Sequence, residues 1–504
     1  MTETPAPQNA LGGRFGFGAW LFLRLLAFVH LCAFISFWVQ LRGLIGPHGI
    51  LPAADFFSAA HEQLGASAYA QLPSLCWLFG TGAFLHVLCA AGVVLALLLF
   101  AGVAPALCLA LLWAAYLSLV CAGQVFYEFQ WDALLLETTL LAVFLAPWSW
   151  LPLWRHHEPP RLARCLLWWL LFRLMFLSGF VKLASGDPAW RHLTALAFHY
   201  ETQPLPTPLS WHAFQLPLWF HRASCAVMFF IELVVPFALF APRRWRHPAA
   251  GLIIALQIVI ALTGNYAFFN LLTIALCLPC LDDVWWRQAI ARIFRRQSLV
   301  DAFIGTGPTL YRFWSIWPLR IFAGFVFLLT AILASLDFSA QLPRPLENIL
   351  SAVAPLRSFN NYGLFAVMTT SRPEIILEGS DDGRDWLAYE FLHKPGSLTR
   401  APGWVAPHQP RLDWQMWFAA LGGPSQNPWV LNLCVHLLRG TPDVLALFRA
   451  NPFPQHPPRY VRAVLYNYEF TEPAVRAHTG QYWRRAVSDL YLPPVSLRSD
   501  NPVR

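Results

Sequence analysis

Lysine is nearly absent from this chain: two, Lys182 and Lys394, stand against 33 arginines. Charge of either sign is scarce as well, at 12% of residues against 57% hydrophobic. That balance excludes an ordinary soluble globular protein. The formal net charge of +8 comes from arginines in short groups. No basic stripe suited to nucleic acid occurs, so no nucleic-acid partner is expected. The polar start, MTETPAPQNALGG, leads into an apolar run that is too long for a signal peptide, contains Arg24 and lacks a small-residue cleavage site. It reads as an uncleaved anchor. There is no internal repeat, and no low-complexity tract beyond proline-rich turns.

The ten cysteines lie mostly inside apolar runs and read as small hydrophobes rather than a disulfide framework. One close pair, Cys277 and Cys280 in CLPC, has redox spacing, but it ends a membrane segment beside two aspartates.

What the chain has in abundance is apolar sequence of membrane-spanning length. Runs at 19–40, 75–99, 101–121, 132–150, 165–184, 224–241, 248–263, 265–281 and 318–337 predict about nine spans. Arginines cluster at 155, 161 and 164, at 243, 244 and 246, and at 287, 292, 295, 296 and 312. Placing these loops in the cytoplasm lets the spans alternate without conflict. The amino terminus is then inside, and the 41–74, 185–223 and carboxy-terminal segments are outside. The expected organisation is a polar tail (1–18), a transmembrane helical domain (19–340) with an outward aromatic and histidine loop at 185–223, and an extramembrane α+β domain (341–504). In that domain EIILEGSDDGRDWLAYEFLHKPG predicts a hairpin and RYVRAVLYNYEF a strand. RLDWQMWFAAL and NPWVLNLCVHLLRG read as helices, the second with Asn427 as cap and Pro428 at the first position.

Ionisable groups inside spans are costly, so each invites a functional reading. They are Arg24, His30, His86, Glu137, Arg173, Lys182 and Glu232. Glu137 or Glu232 would neutralise Arg173 across a helix interface, giving an intramembrane polar network of Arg173, Glu137 and Glu232. Glu128 and Asp132 share a helical face if their helix starts early enough. Lys182, closing the stretch FLSGFVKLASGD, either snorkels to the outer interface or is there because a desolvated lysine, unlike arginine, can act as a base. The following loop carries His192, His199, His212, His221 and Glu201 among aromatic rings and prolines. It shows no HExxH or comparable ligand spacing, so no metal is expected, and a shaped loop lying along the membrane is favoured.

The segments GDPAWRHLTALAFHYETQPLPTPLSW, PLWFHR and FIELVVPFALF closely resemble the lipase maturation factor family. The likeness continues through GNYAFFNLLTIALCLPCLDD, FNNYGLFAVMTTSRPEIILEGS, YEFLHKPG, RLDWQMWFAAL, NPF…PPRYVRAVLYNYEF and YWRR, over about residues 30–495. It departs at RHLT, where the family often has an acidic residue before the leucine, and in cysteine content. The resemblance implies a polytopic membrane protein that helps secreted lipases or related clients fold, assemble and leave the cell. Its partners would be such a client and membrane lipid, and a homo-oligomer is compatible with it. Trp190, Arg191, His199, Tyr200, Glu201, Gln203, Trp219, His221 and Arg222 would then contact client or substrate. The composition points to a bacterial cytoplasmic membrane with the tail in the periplasm; in a eukaryote it would be the endoplasmic-reticulum membrane with a lumenal tail.

FRLMFLSGFVKLASGDPAW is also similar, over about twenty residues, to the vitamin K-dependent γ-carboxylase, and FQWDALLLE fits the same broader group. That similarity implies an alternative, a membrane enzyme with Lys182 as general base on a lipophilic substrate or quinol, and Glu128, Asp132 or His199 as proton partners. No cofactor is expected otherwise. A transporter is a third class, but the chain has no inverted repeat to support it.

Overall fold

The computed structural model describes residues 14–152, 157–294, 316–336 and 343–497. Seven of its helices are long and apolar enough to cross a bilayer: Gly16–Trp38, Gly82–Ala101, Pro105–Ala122, Arg161–Ala184, Leu218–Phe240, Arg243–Thr263 and Trp317–Ser335. An eighth span results if Phe269–Cys280 and Asp283–Ile293, bent by 111° at their break, count as one. The ninth expected span is the helix Gln130–Leu145, which has 16 residues. At 1.5 Å per residue it is about 24 Å long, short of a hydrocarbon core of roughly 30 Å. Most of its side chains are buried, so it packs inside the bundle rather than against lipid. Proline marks the helix starts: Pro105 is a first-turn residue, and Pro160, Pro217 and Pro242 sit just before their helices.

Contacts sort the bundle into two ends. At one, the Phe15 amide donates to the Glu158 carboxylate (3.1 and 3.2 Å), and the Phe17 amide to Asp283 Oδ1 (3.0 Å). There Arg246 Nε also donates to the Cys280 carbonyl (2.9 Å), and the Arg164 guanidinium lies 3.8 Å over the Phe15 ring. Cys277 and Cys280 are both buried free thiols.

The carboxy-terminal domain docks on the other end. Its antiparallel sheet runs in the order Leu387–Ala388 (β2), Arg372–Ser380 (β1), Tyr460–Phe470 (β5) and Trp483–Val495 (β6). The expected hairpin is β1 (Arg372–Ser380) with β2 (Leu387–Ala388), Glu378 facing Ala388. The expected strand is β5 (Tyr460–Phe470). A further strand that the sequence did not suggest, β6 (Trp483–Val495), forms the edge. Short β3 (Glu390–Phe391) and β4 (Phe448–Ala450) pair separately. The helices Arg411–Ala420 and Trp429–Leu438 form as expected, but the second begins one residue late. Pro428 takes the cap position, and the Asn427 side chain instead donates to the Gly423 carbonyl (3.1 Å).

A charged pair joins this domain to the bundle, and a second pair inside the bundle hydrogen-bonds to it. Arg411 Nη1 and Nη2 donate to Asp132 Oδ2 (3.0 Å) and Oδ1 (2.9 Å), and Nη1 also to the Phe126 carbonyl (2.6 Å). The guanidinium lies 3.5 Å over the Tyr127 ring. Arg173 pairs with Glu137, whose Oε2 also accepts from Tyr362 OH (2.7 Å). Arg173 Nη1 donates to the Asn360 carbonyl (2.8 Å). Each buried charge is thus matched by an opposite charge and by further hydrogen bonds, the condition under which burial is tolerated.

Candidate functional site

A cavity of about 360 Å³ opens where the helices Arg161–Ala184, Leu218–Leu233 and Arg243–Thr263 diverge, with the loop helix Ala195–Thr202 closing one side. Lys182 and Glu232 face each other in its wall. Lys182 Nζ donates to Glu232 Oε2 (2.8 Å) and Oε1 (3.0 Å) and to the Ser178 carbonyl (3.0 Å), and it stands 5.5 Å from the centre of the Trp190 ring. At 5% exposure Lys182 does not snorkel. Gly179, one turn earlier, makes the pairing feasible: a Cβ there would lie 2.9 Å from Glu232 Cβ and from the Leu233 side chain. Only a residue without a side chain lets the two helices approach so closely.

Across the cavity, His199 Nε2 lies 2.9 Å from Tyr266 OH, which donates to Gln203 Oε1 (2.8 Å). The Gln203 amide nitrogen is committed to the Thr263 carbonyl (2.7 Å) and Ser210 Oγ (3.1 Å), so its oxygen is left to accept. Tyr266 therefore receives the Nε2 proton of His199, which fixes the tautomer. Burial first, and the Lys182 charge second, hold the imidazole down at about 4, so it is neutral near pH 7. Gly264 sits between these groups, where any Cβ would collide with Gln203 Oε1 and the Tyr266 ring. Elsewhere in the wall, Gln257 accepts from Asn270 Nδ2 (2.8 Å), while its own amide nitrogen meets the Met175 sulfur at 3.8 Å.

Of the residues singled out in the sequence, Lys182, Glu232, Trp190, His199 and Tyr200 line this cavity, and Gln203 reaches it through Tyr266. Glu128 and Asp132 do not line it. Asp132 is engaged by Arg411 and by Tyr116 OH (2.5 Å). Glu128 is exposed and precedes the helix that begins at Gln130, so the two carboxylates do not share a helical face. Glu232 partners Lys182, and Arg173 takes Glu137.

The loop at 185–223 is turned inward more than its aromatic content suggested. Trp190, Tyr200, Glu201, Gln203 and His221 are buried; Arg191, Trp219 and Arg222 are exposed. The HYETQP segment is a seat for the carboxy-terminal domain. Arg372 donates to the Glu201 (2.6 Å) and Pro204 (2.8 Å) carbonyls and to that of Gln203. Trp417 Nε1 donates to the Thr202 carbonyl (2.9 Å), and Glu201 Oε2 accepts from the Phe470 amide (3.1 Å). Burial pushes the Glu201 carboxyl up to about 7. Among the described residues no three His, Cys, Asp or Glu side chains gather as metal ligands.

Tyr266, Gln257 and Asn270 were not singled out in the sequence as site residues. The signal the sequence carries for them is an amide or a phenol within the apolar run ALQIVIALTGNYAFFN.

Fold and site together define a polytopic α-helical membrane protein with an α+β domain locked onto one end of its bundle and an apolar cavity between its helices. Profiles of the lipase maturation factor transmembrane domain and the lipase maturation factor C-terminal domain match residues 17–288 and 358–493. The chain is 37% identical to lipase maturation factor 2 of Rattus norvegicus, over 95% of this chain and 83% of that protein. The Homo sapiens lipase maturation factor 2 is 36% identical, over 95% and 82%. Lipase maturation factor 1 of Bos taurus is 34% identical, over 97% and 91%. No solved structure matches. The chain belongs to the lipase maturation factor family.

Proposed function

We propose that the chain is a membrane-bound maturation factor that helps secreted proteins, lipases first among them, reach an active fold. The carrying observation is the extent of similarity to relatives named for that role, which runs through both domains. In this reading the end of the bundle bearing Arg161, Arg164, Arg243, Arg244 and Arg246 faces the cytoplasm, and the docked domain faces outward. Arg155, Arg295, Arg296 and Arg312 lie outside the described residues. The client meets Arg191 in the loop and Trp219 and Arg222 on the outward first turns of the Leu218–Leu233 helix, the expected contact residues that are exposed, rather than the buried part of the HYETQP segment. The test is deletion in the native host and complementation at matched membrane levels, reading specific activity of secreted lipases per unit of secreted antigen. Unchanged specific activity on deletion would sink the reading.

One observation favours a second reading, an enzyme: Lys182 reaches a cavity large enough for a lipophilic substrate or quinol. Glu232 and the Ser178 carbonyl occupy its ammonium protons, so a basic lysine requires that pair to open. Lys182→Arg separates the two readings, since guanidinium keeps the ion pair but cannot serve as a base.

A further inference from the structure

The cavity beside Lys182 is placed and built to hold a small molecule, and its chemistry limits which one. Its volume of about 360 Å³ falls within the usual range for ligand sites, roughly 300–1,000 Å³. Its rim includes Leu216, Phe220 and Val259, which are 40%, 39% and 53% exposed. Neighbouring Val227, Phe230, Ile258 and Leu262 are exposed apolar side chains on the same two helices. Such a surface on a spanning helix is a lipid-facing one, so the cavity opens sideways into hydrocarbon.

Most of the wall is hydrocarbon and aromatic ring, including Leu174, Met228, Leu256 and Phe269. Its polar groups carry no net charge. Lys182 and Glu232 cancel, and His199, Tyr266 and Gln257 are neutral. A carboxylate or phosphate entering here would leave water without meeting a free cation among the described lining residues, a heavy cost. What the wall does offer is a donor. Gln257 is 3% exposed, yet its amide nitrogen bonds only weakly, to the Met175 sulfur at 3.8 Å. A buried amide hydrogen in apolar surroundings gains most from an oxygen acceptor.

We propose that this cavity is a binding site for an uncharged lipid entering from the bilayer, its hydrocarbon tail along the Leu174, Met228 and Leu256 wall and a carbonyl oxygen accepting from Gln257. The class covers acylglycerols and tailed quinones alike. The inference rests on the cavity and stands whether or not the chain matures lipases.

The experiment uses the full chain purified in mild detergent and reconstituted in phosphatidylcholine nanodiscs. Binding is measured for a monoacylglycerol, a short-tailed ubiquinone and the fatty-acid anion of matching chain length. One of the two uncharged lipids is expected to bind saturably at one per chain, and which of them binds identifies the source. Ser224→Phe, which fills the cavity from the Leu218–Leu233 helix, should reduce binding more than tenfold. Gln257→Leu, which keeps the bulk but removes the donor, should weaken it about tenfold, the loss of one buried hydrogen bond. Unchanged elution volume and thermal midpoint for both variants establish that they fold. Preference for the fatty-acid anion, saturable binding of none of the three, or wild-type binding by folded Ser224→Phe would each overturn the proposal.

Discussion

Arg411 and Asp132 meet through two parallel hydrogen bonds of 2.9 and 3.0 Å, each side chain 1% exposed. One belongs to the carboxy-terminal domain and the other to the first turn of a bundle helix. Their pairing makes the two parts a single structural unit. Arg411→Met should therefore leave a buried carboxylate uncompensated and destabilise the protein by about 3–5 kcal/mol. Thermal unfolding in detergent checks the stability, and limited proteolysis checks release of the tail. An unchanged midpoint would show that docking does not depend on the pair.

Lys182 and Glu232 should behave as a coupled pair. Lys182→Met and Glu232→Gln singly strand a buried charge or amide and lower stability. The double variant should recover part of that loss, with a coupling of about 0.5–3 kcal/mol. Lys182→Arg should retain both stability and lipase maturation in the complementation assay. Loss of maturation in a stable Lys182→Arg protein would instead support proton chemistry.

Docking of the tail should weaken as pH rises. Glu201 has an ordinary carboxyl value of 4.5 and is raised to about 7 where it sits, chiefly by burial, despite nearby Arg372 and Arg484. A carboxyl raised on folding contributes stability that is full below 4.5 and lost as pH climbs through 7. Protease release of the tail should be faster at pH 8 than at pH 5, and Glu201→Gln should flatten that difference. Equal slopes in wild type and variant would place the pH dependence elsewhere.

Exposed and buried tryptophans of the same loop should part company. Trp190, 2% exposed, donates to the Phe365 carbonyl (2.9 Å), so Trp190→Ala should cost about 3–5 kcal/mol. Trp219 is 70% exposed. Trp219→Ala combined with Arg222→Ala should leave the unfolding midpoint within about 1 °C while lowering the specific activity of the secreted client severalfold. Full client activity would remove this surface from the proposed contact.

The membrane class was legible because long apolar runs have few alternatives. That Arg173 would meet a carboxylate was legible for a related reason, since isolated charges in spans must find each other, but the choice of Glu137 over Glu232 was not. Nor was the partner of Lys182. Glu232 lies 50 residues along the chain, and only the close approach at Gly179 selects it over Arg173 as the one to be neutralised. Strand β6 escaped notice because Arg484, Arg485, Asp489 and two prolines break any apolar alternation; the strand is an edge whose pairing with β5 supplies what side-chain burial does not. Aromatic residues suit both an interface and a core, so the composition of the loop does not fix which way its rings face. Arg372, distant in sequence, decided which by drawing HYETQP under the tail.

The chain's second lysine repeats the arrangement of the first. Lys394 is 1% exposed, pairs with Glu374 at 2.9 Å and donates to the Ile375 carbonyl (3.0 Å). The folded protein thus offers amine-reactive reagents no accessible ε-amino group. Acylation of either lysine reports that the surrounding structure has opened: at Lys182 the helix bundle, at Lys394 the sheet of the tail. Two residues, timed against each other in one peptide map, give separate clocks for the loosening of the two domains.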